Sequence, residues 1–199
     1  MKTNLILASS SPFRQSILKK FNLKFTAFAP DIDETPLAHE TAQQLVARLS
    51  EQKARTAKQL FTDGLVIGSD QVAVFGDSIL GKPHTKANAI TQLTQFSGHK
   101  VTFLTGLSVY DIATDMAKTV VEPFHVHFRA LSSEEIERYI DVEQPLQCAG
   151  SFKSEGLGIC LFEKLEGDDP NALIGLPLIQ LQRLLADFGV NVLMLQHRS

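Results

Sequence analysis

Asp70 stands inside the apolar run LVIGSDQVAVF (65–75). Carboxylates are depleted in strands and seldom buried without a partner. Asp70 is therefore a metal ligand, a base for water, or half of a structural ion pair, and the residue type leaves all three open. DIDETP (31–36) groups Asp31, Asp33 and Glu34, oxygen donors of the kind hard cations take. An acidic loop ending in a helix cap is the plainer reading. Lys53 in EQKA (51–54) and Lys82 in GKP (81–83) are compact charges suited to phosphate oxygens. Each also reads as an ordinary solvated lysine, one on a helix face and one in a turn. LILASSSPFRQSIL (5–18) puts Ser9, Ser10 and Ser11 where an apolar run gives way to helical spacing, with Phe13 and Arg14 next. The free N–H groups and positive end of a helix at such a turn attract an anion. Arg14 can add bidentate contacts to a phosphate. Serines that only cap the helix, a solvated Arg14 and a core-packed Phe13 form the competing reading. His125 and His127 share a strand face but lack a third metal ligand.

No Walker A motif, dinucleotide fingerprint or nucleophile elbow occurs. The conjunction is what informs. One anion-binding helix start, several cations and two acidic sites suit a polyphosphate bound with a metal.

These residues need elements to hold them. Residues 4–8 read as a buried strand, and 12–21 as a helix capped by Ser10 or Ser11 with Pro12 in its first turn. FTAFAP (25–30) reads as a short strand and 31–36 as a loop. Leu45, Val46, Leu49 and Ala57 give 41–61 the spacing of an amphipathic helix. The strand over 65–75 is expected to be interrupted at Gly68-Ser69-Asp70. ILGKP (79–83) leads into a helix over about 85–96 that Gly98 closes. VTFLTGLSVYD (101–111) and VVEPFHVHF (120–128) alternate as a hairpin around 113–117. Ser132 and Glu135 form a capping box for a helix over 132–140. LGICLFEKLEG (157–167) reads as a strand, and 171–188 as a final helix kinked or broken at Pro177. Mixed strands and helices make this an α/β or α+β protein with a mixed sheet.

The chain has 199 residues, 44% hydrophobic and 21% charged, the profile of a globular protein. A net charge of −3 argues against non-specific nucleic-acid binding. Cys148 and Cys160 match no zinc or redox spacing and are expected to be reduced in the cytoplasm. No signal peptide or membrane-spanning run is evident. A second lobe around 85–150 is conceivable, but no boundary is sharp, and one domain over 1–199 is expected.

LASSSPFR, DIDETP, EQKA, GSDQV, GKP and TGL (105–107) stand in an order and spacing that resembles the Maf-like nucleoside triphosphate pyrophosphatases, over nearly the whole chain. The resemblance implies an α/β fold of the Maf/inosine triphosphatase-like kind: a mixed, strongly twisted sheet flanked by helices, with two lobes around a cleft. It implies hydrolysis of a nucleoside triphosphate to the monophosphate and pyrophosphate with a divalent cation, magnesium or manganese. It marks Asp70 as the catalytic carboxylate and a metal ligand with Glu34, and Ser9, Arg14, Lys53 and Lys82 as triphosphate ligands. SPFR, GSFKSEGLG (150–158) and Gln71 after Asp70 resemble the branch acting on 7-methyl-GTP. That branch often has tryptophan where this chain has Phe13, and Gln15 stands where a second arginine is expected. Phe13, Gln71 and Glu155 become the specificity residues. A dTTP/UTP pyrophosphatase on the same scaffold is the near alternative. A nucleotide-binding regulator of cell division without catalysis is the distant one. The expected partner is a small nucleotide, with no nucleic acid and no membrane. The oligomeric state stays open, with a homodimer among the options.

Overall fold

The computed structural model describes residues 4–195. Seven strands, β1 (Leu5–Ala8), β2 (Thr26–Phe28), β3 (Leu65–Phe75), β4 (Ser78–Leu80), β5 (Lys100–Asp111), β6 (Met116–Phe128) and β7 (Phe162–Glu166), form one sheet. Its order is β2-β1-β3-β5-β6-β7, with β4 paired to β3. The helices are α1 (Pro12–Leu18), α2 (Ala42–Arg55), α3 (Lys86–Phe96), α4 (Ser133–Glu143), α5 (Pro170–Ile174) and α6 (Leu178–Asp187). The α/β class and the mixed sheet follow: β1 runs parallel to both β2 and β3, while β4 is antiparallel to β3 and β7 to β6.

The chain forms two compact units. The first holds residues up to Asp70, Thr105–Glu122 and the segment from Gly175 onward; the second holds Gln71–Leu104 and Pro123–Ile174. The first unit buries all four residues of β1 and the Leu65–Ile67 stretch of β3. Leu45, Val46 and Leu49 of α2 are buried as their spacing predicts, Ala57 is buried in the 3-10 turn that follows the helix, and Ala54 joins them. Two glycines let this helix come close to the sheet. A Cβ on Gly68 would stand 2.1 Å from the Ser50 carbonyl oxygen, and one on Gly106 would stand 2.1 Å from that of Val46. In α6, Leu178, Leu181, Leu184 and Leu185 are buried. The second unit has an aromatic core. Phe128 meets Phe96, Phe152 and Phe162 at centroid distances of 5.3, 5.7 and 5.3 Å. The last two contacts are edge-to-face, the arrangement aromatic quadrupoles prefer.

Two expectations need correction. Gly68-Ser69-Asp70 does not interrupt β3, which runs unbroken from Leu65 to Phe75. Each residue that reads as a breaker has a tertiary reason to be there: Gly68 seats α2, Ser69 hydrogen-bonds main-chain carbonyls, and Asp70 is ion-paired. The first half of the strand expected over 157–167 is a 3-10 helix, Leu157–Leu161. Gly158 explains it: a Cβ there would lie 2.2 Å from the Lys153 carbonyl oxygen, so the chain is turned tightly against itself. The final helix over 171–188 is broken at Pro177 as expected, into α5 and α6, with Gly175 (φ 107°) turning the chain just before this proline, whose missing N–H suits a helix start. The short strand β4, hairpinned to β3, was not anticipated.

Candidate active site

The first unit collects six of the nine candidate residues. Ser9 follows β1 directly and is buried. Its Oγ accepts the Ser11 N–H at 3.1 Å, and Ser11 in turn caps α1 through the Arg14 N–H. The serines thus do cap, with Ser11 rather than Ser10 at the cap position. Arg14 is not a solvated arginine. Its Nε donates to the Gly175 carbonyl oxygen at 2.9 Å. Burial pulls its pKa down, while the charges of Asp70 and Glu34 push it back up. Phe13 is half-buried in the first turn of α1. The parallel register aligns Ala8 with Gly68, so the turn after β1 lies beside the stretch of β3 that carries Ser69 and Asp70. Ligands of open α/β sheets bind at such carboxyl ends of parallel strands.

Lys53 is the hub. Its Nζ lies 2.7 Å from Asp70 Oδ1 and 2.7 Å from Glu34 Oε1. The Asp70 side chain keeps 10% of its exposure and Glu34 keeps 59%. One carboxylate therefore comes from the dry side of the ammonium and the other from the wet side. α2 delivers Lys53 from its buried face, and the two glycine seats fix the distance between helix and strand.

Among the described residues no three His, Cys, Asp or Glu side chains group as a metal cage. Asp70 and Glu34 do converge on a single cation. That donor set fits a hard divalent ion of the magnesium kind, which takes one or two carboxylates and completes its shell with water and substrate phosphates. Asp31 lies in the same loop, and Asp33 accepts the Thr35 N–H at 2.9 Å. His125 and His127 are occupied elsewhere, with Thr102 Oγ1 at 2.9 Å and Glu166 Oε2 at 3.1 Å.

Gln71, Lys82 and Glu155 belong to the second unit. Strand alternation turns Gln71 away from the face of Asp70. Its amide nitrogen donates to the carbonyls of Ala172 and Leu173 at 2.8 and 3.2 Å. Lys82 is exposed, and Glu155 is exposed with Ser154 Oγ at 3.4 Å. Both act electrostatically on the half-buried Cys148 thiol, whose pKa rises chiefly through burial and next through Glu155, while Lys82 opposes.

A family model described as Maf-like protein matches residues 4–188. The chain belongs to the Maf-like family. Curated Maf-like relatives span its full length. The 7-methyl-GTP pyrophosphatase of Pseudoalteromonas translucida (strain TAC 125) is 65% identical over 199 residues, covering 100% of this chain and 98% of the relative. The protein of the same name from Vibrio vulnificus (strain CMCP6) is 56% identical, covering 95% and 97%. That from Aliivibrio fischeri (strain ATCC 700601 / ES114) is 55% identical, covering 97% and 100%. Among solved structures, the Ham1 protein of Staphylococcus aureus matches with a TM-score of 0.53 at 13% identity, over 94% of this chain and 100% of that one. The Ham1 protein of Coxiella burnetii matches at 0.50 and 13%, over 93% and 99%. At that identity the likeness speaks for the fold alone.

Two further residues of the candidate site were not singled out from sequence. Ser69 is fully buried, with its Oγ 2.8 Å from the Gly175 carbonyl oxygen and 2.9 Å from that of Gly106. Gly175 O thereby receives Arg14 and Ser69 together. The available signal was Gly175 two residues before the helix-breaking Pro177, a pair that marks a sharp turn. Nothing local to the sequence says that its carbonyl holds an arginine 161 residues away.

Proposed function

We propose that this protein hydrolyses 7-methyl-GTP to 7-methyl-GMP and pyrophosphate. The observation that carries the reading is the Asp70–Lys53–Glu34 triple, a buried carboxylate and an accessible one sharing one ammonium. The full-length relatives named for this activity support the choice of substrate. Asp70 orients the attacking water and accepts its proton as the new bond forms to the α-phosphorus. The bond from that phosphorus to the bridging oxygen breaks, and pyrophosphate leaves with the electron pair. Lys53 and Arg14 stabilise the charge that develops on the phosphate oxygens, and Ser9 and the α1 start bind the triphosphate. A magnesium or manganese ion would be held by Asp70 and Glu34 and would supply charge neutralisation for the phosphates.

Phe13 offers the base a flat face, and N7-methylation makes guanine cationic. Stacking such a cation on an aromatic ring contributes about 0.5–2 kcal/mol, depending on desolvation. Lys82 is assigned to the leaving group and Glu155 to the guanine edge, where a carboxylate accepts charge-assisted hydrogen bonds. Gln71 is a proposed specificity residue, with its amide nitrogen on the Ala172 and Leu173 carbonyls. The substrate is a small nucleotide, and the reading assigns the chain to the cytoplasm, where the free thiols Cys148 and Cys160 stay reduced. Among the described residues no helix is long and apolar enough to cross a membrane.

The test is a panel of 7-methyl-GTP, GTP, UTP and dTTP with pyrophosphate detection. Preference for 7-methyl-GTP is expected. Equal hydrolysis of UTP and 7-methyl-GTP would overturn the base assignment, and no turnover of any nucleotide with either metal would overturn the activity.

A further inference from the structure

Glu34 poses a problem of order. It is exposed, and it sits in the stretch between β2 and α2 that has no strand or helix of its own. A glutamate on such a stretch samples many rotamers, and holding it costs entropy. Yet its Oε1 rests 2.7 Å from Lys53 Nζ.

Arg48 accounts for this. Its Nη2 donates to the carbonyl oxygen of Thr35, the residue next to Glu34, at 3.1 Å. The same guanidinium grips Glu40 as a fork, Nε to Oε1 at 2.6 Å and Nη2 to Oε2 at 2.8 Å. Glu40 Oε2 also accepts the Leu37 N–H at 3.0 Å, which closes the turn between them. Arg48 Nη1 donates to Gln52 Oε1 at 3.1 Å, so its plane is set from its own helix. The Glu40 side chain keeps only 7% of its exposure, which shields the fork from water. One side chain therefore ties both ends of the segment around Glu34 to α2, the helix that carries Lys53 five residues further on. A planar guanidinium holds a carboxylate fork and a carbonyl in one fixed geometry, which the rotatable donors of an ammonium do not impose.

We propose that Arg48 is a positioning residue of the hydrolytic site, holding the 34–40 segment so that the Glu34 carboxylate stays on Lys53 beside Asp70. The proposal rests on the hydrolytic reading above, and Arg48 itself touches neither substrate nor reacting atoms. A bridge that only stabilised the fold would lower Tm without depending on Glu34.

The experiment is a double-mutant cycle with Arg48→Ala, Glu34→Gln and both together. Single-turnover rates with 7-methyl-GTP allow slow variants to be compared. Arg48→Ala should lower kcat/KM about tenfold or more in the wild-type background, as loss of a positioning contact does. In the Glu34→Gln background it should change the rate less than about twofold, because residues acting as one unit are not additive. Arg48→Lys should recover part of the loss. Additive losses would overturn the proposal. If Arg48→Ala does not fold, Glu40→Gln weakens the same fork and gives the same comparison. A second measurement needs no substrate. Hydrogen exchange of the Leu37 and Glu40 amides should speed up in Arg48→Ala while the Val46 and Leu49 amides of α2 stay protected. Unchanged exchange at Leu37 and Glu40 would also overturn it. A wild-type enzyme inactive on every nucleotide would instead remove the hydrolytic reading, with the exchange result still deciding whether Arg48 orders the segment.

Discussion

The three charges Asp70, Lys53 and Glu34 are not interchangeable, because only one carboxylate is dry. Asp70→Asn keeps a hydrogen-bond acceptor for Lys53 and leaves Glu34 as its counter-charge. Activity should fall at least ~100-fold, the low end for removing a general base, with the fold retained. Circular dichroism beside the rate assay checks both halves. Lys53→Ala differs, since it strands Asp70 in a buried position. Breaking a buried pair from one side costs about 3–5 kcal/mol, so this variant should lose both stability and rate. Lys82→Ala removes an exposed charge, and its stability should stay within about 0.5 kcal/mol of wild type while turnover drops. Denaturant titration of the two lysine variants separates the roles; equal stability loss would contradict the burial argument. Asp70 was legible as a chemical residue because a carboxylate in an apolar strand needs a partner. That the partner is Lys53, seventeen positions away, was not, since helix-face lysines are usually solvated.

Helix ends and glycine seats set where these charges stand. The capping box of α4 shows how legible a purely local device is: Ser132 and Glu135 were read three residues apart and are found bonded reciprocally, at 2.8 and 3.2 Å. Arg129 bonding, then the Ser132 N–H, holds the Glu135 carboxyl down at about 2. The Arg48 fork does the same to Glu40, also about 2. A depressed carboxyl stabilises the fold above its ordinary pKa and stops doing so as pH falls through the folded value. Stability should therefore decline from about pH 4.5 to pH 2. Glu40→Gln and Glu135→Gln should each flatten that decline in acid-unfolding curves. The interruption expected in β3 failed for a physical reason. Glycine, serine and aspartate are weak strand formers in isolation, but here tertiary contacts outweigh propensity. The 3-10 turn at 157–161 was hidden likewise, because a backbone approach between Gly158 and Lys153 leaves no periodicity in the sequence.

Across the chain, fold and family were the more legible parts, because they rest on many segments at once. Six motifs in order and spacing, a family match over residues 4–188 and an α/β sheet of the Ham1 kind agree with one another. The proposed metal dependence is tested on the assembled enzyme. Activity should vanish in excess chelator and return with magnesium or manganese, both of which accept carboxylate and phosphate oxygens; full activity in chelator would remove Glu34 from the metal role. Substrate choice belongs here too. Phe13→Ala should erode the preference for 7-methyl-GTP over GTP while leaving the GTP rate nearly unchanged, and competition kinetics reads the ratio directly.

The two seats under α2 also constrain how the gene can change. A methyl at Gly106 would meet the Val46 carbonyl, and one at Gly68 the Ser50 carbonyl, each at 2.1 Å. Both obstacles are main-chain atoms. An overpacked side chain can be relieved by trimming its neighbour, but a carbonyl is present whatever residue carries it. Gly106→Ala should cost about 1–3 kcal/mol as overpacking does. A selection for restored activity should return the original glycine codon far more often than any compensating change in α2. Frequent suppressors at Val46 would show that the helix can be lifted without losing Lys53. Their absence would mark these two positions as places where the lineage has no alternative route.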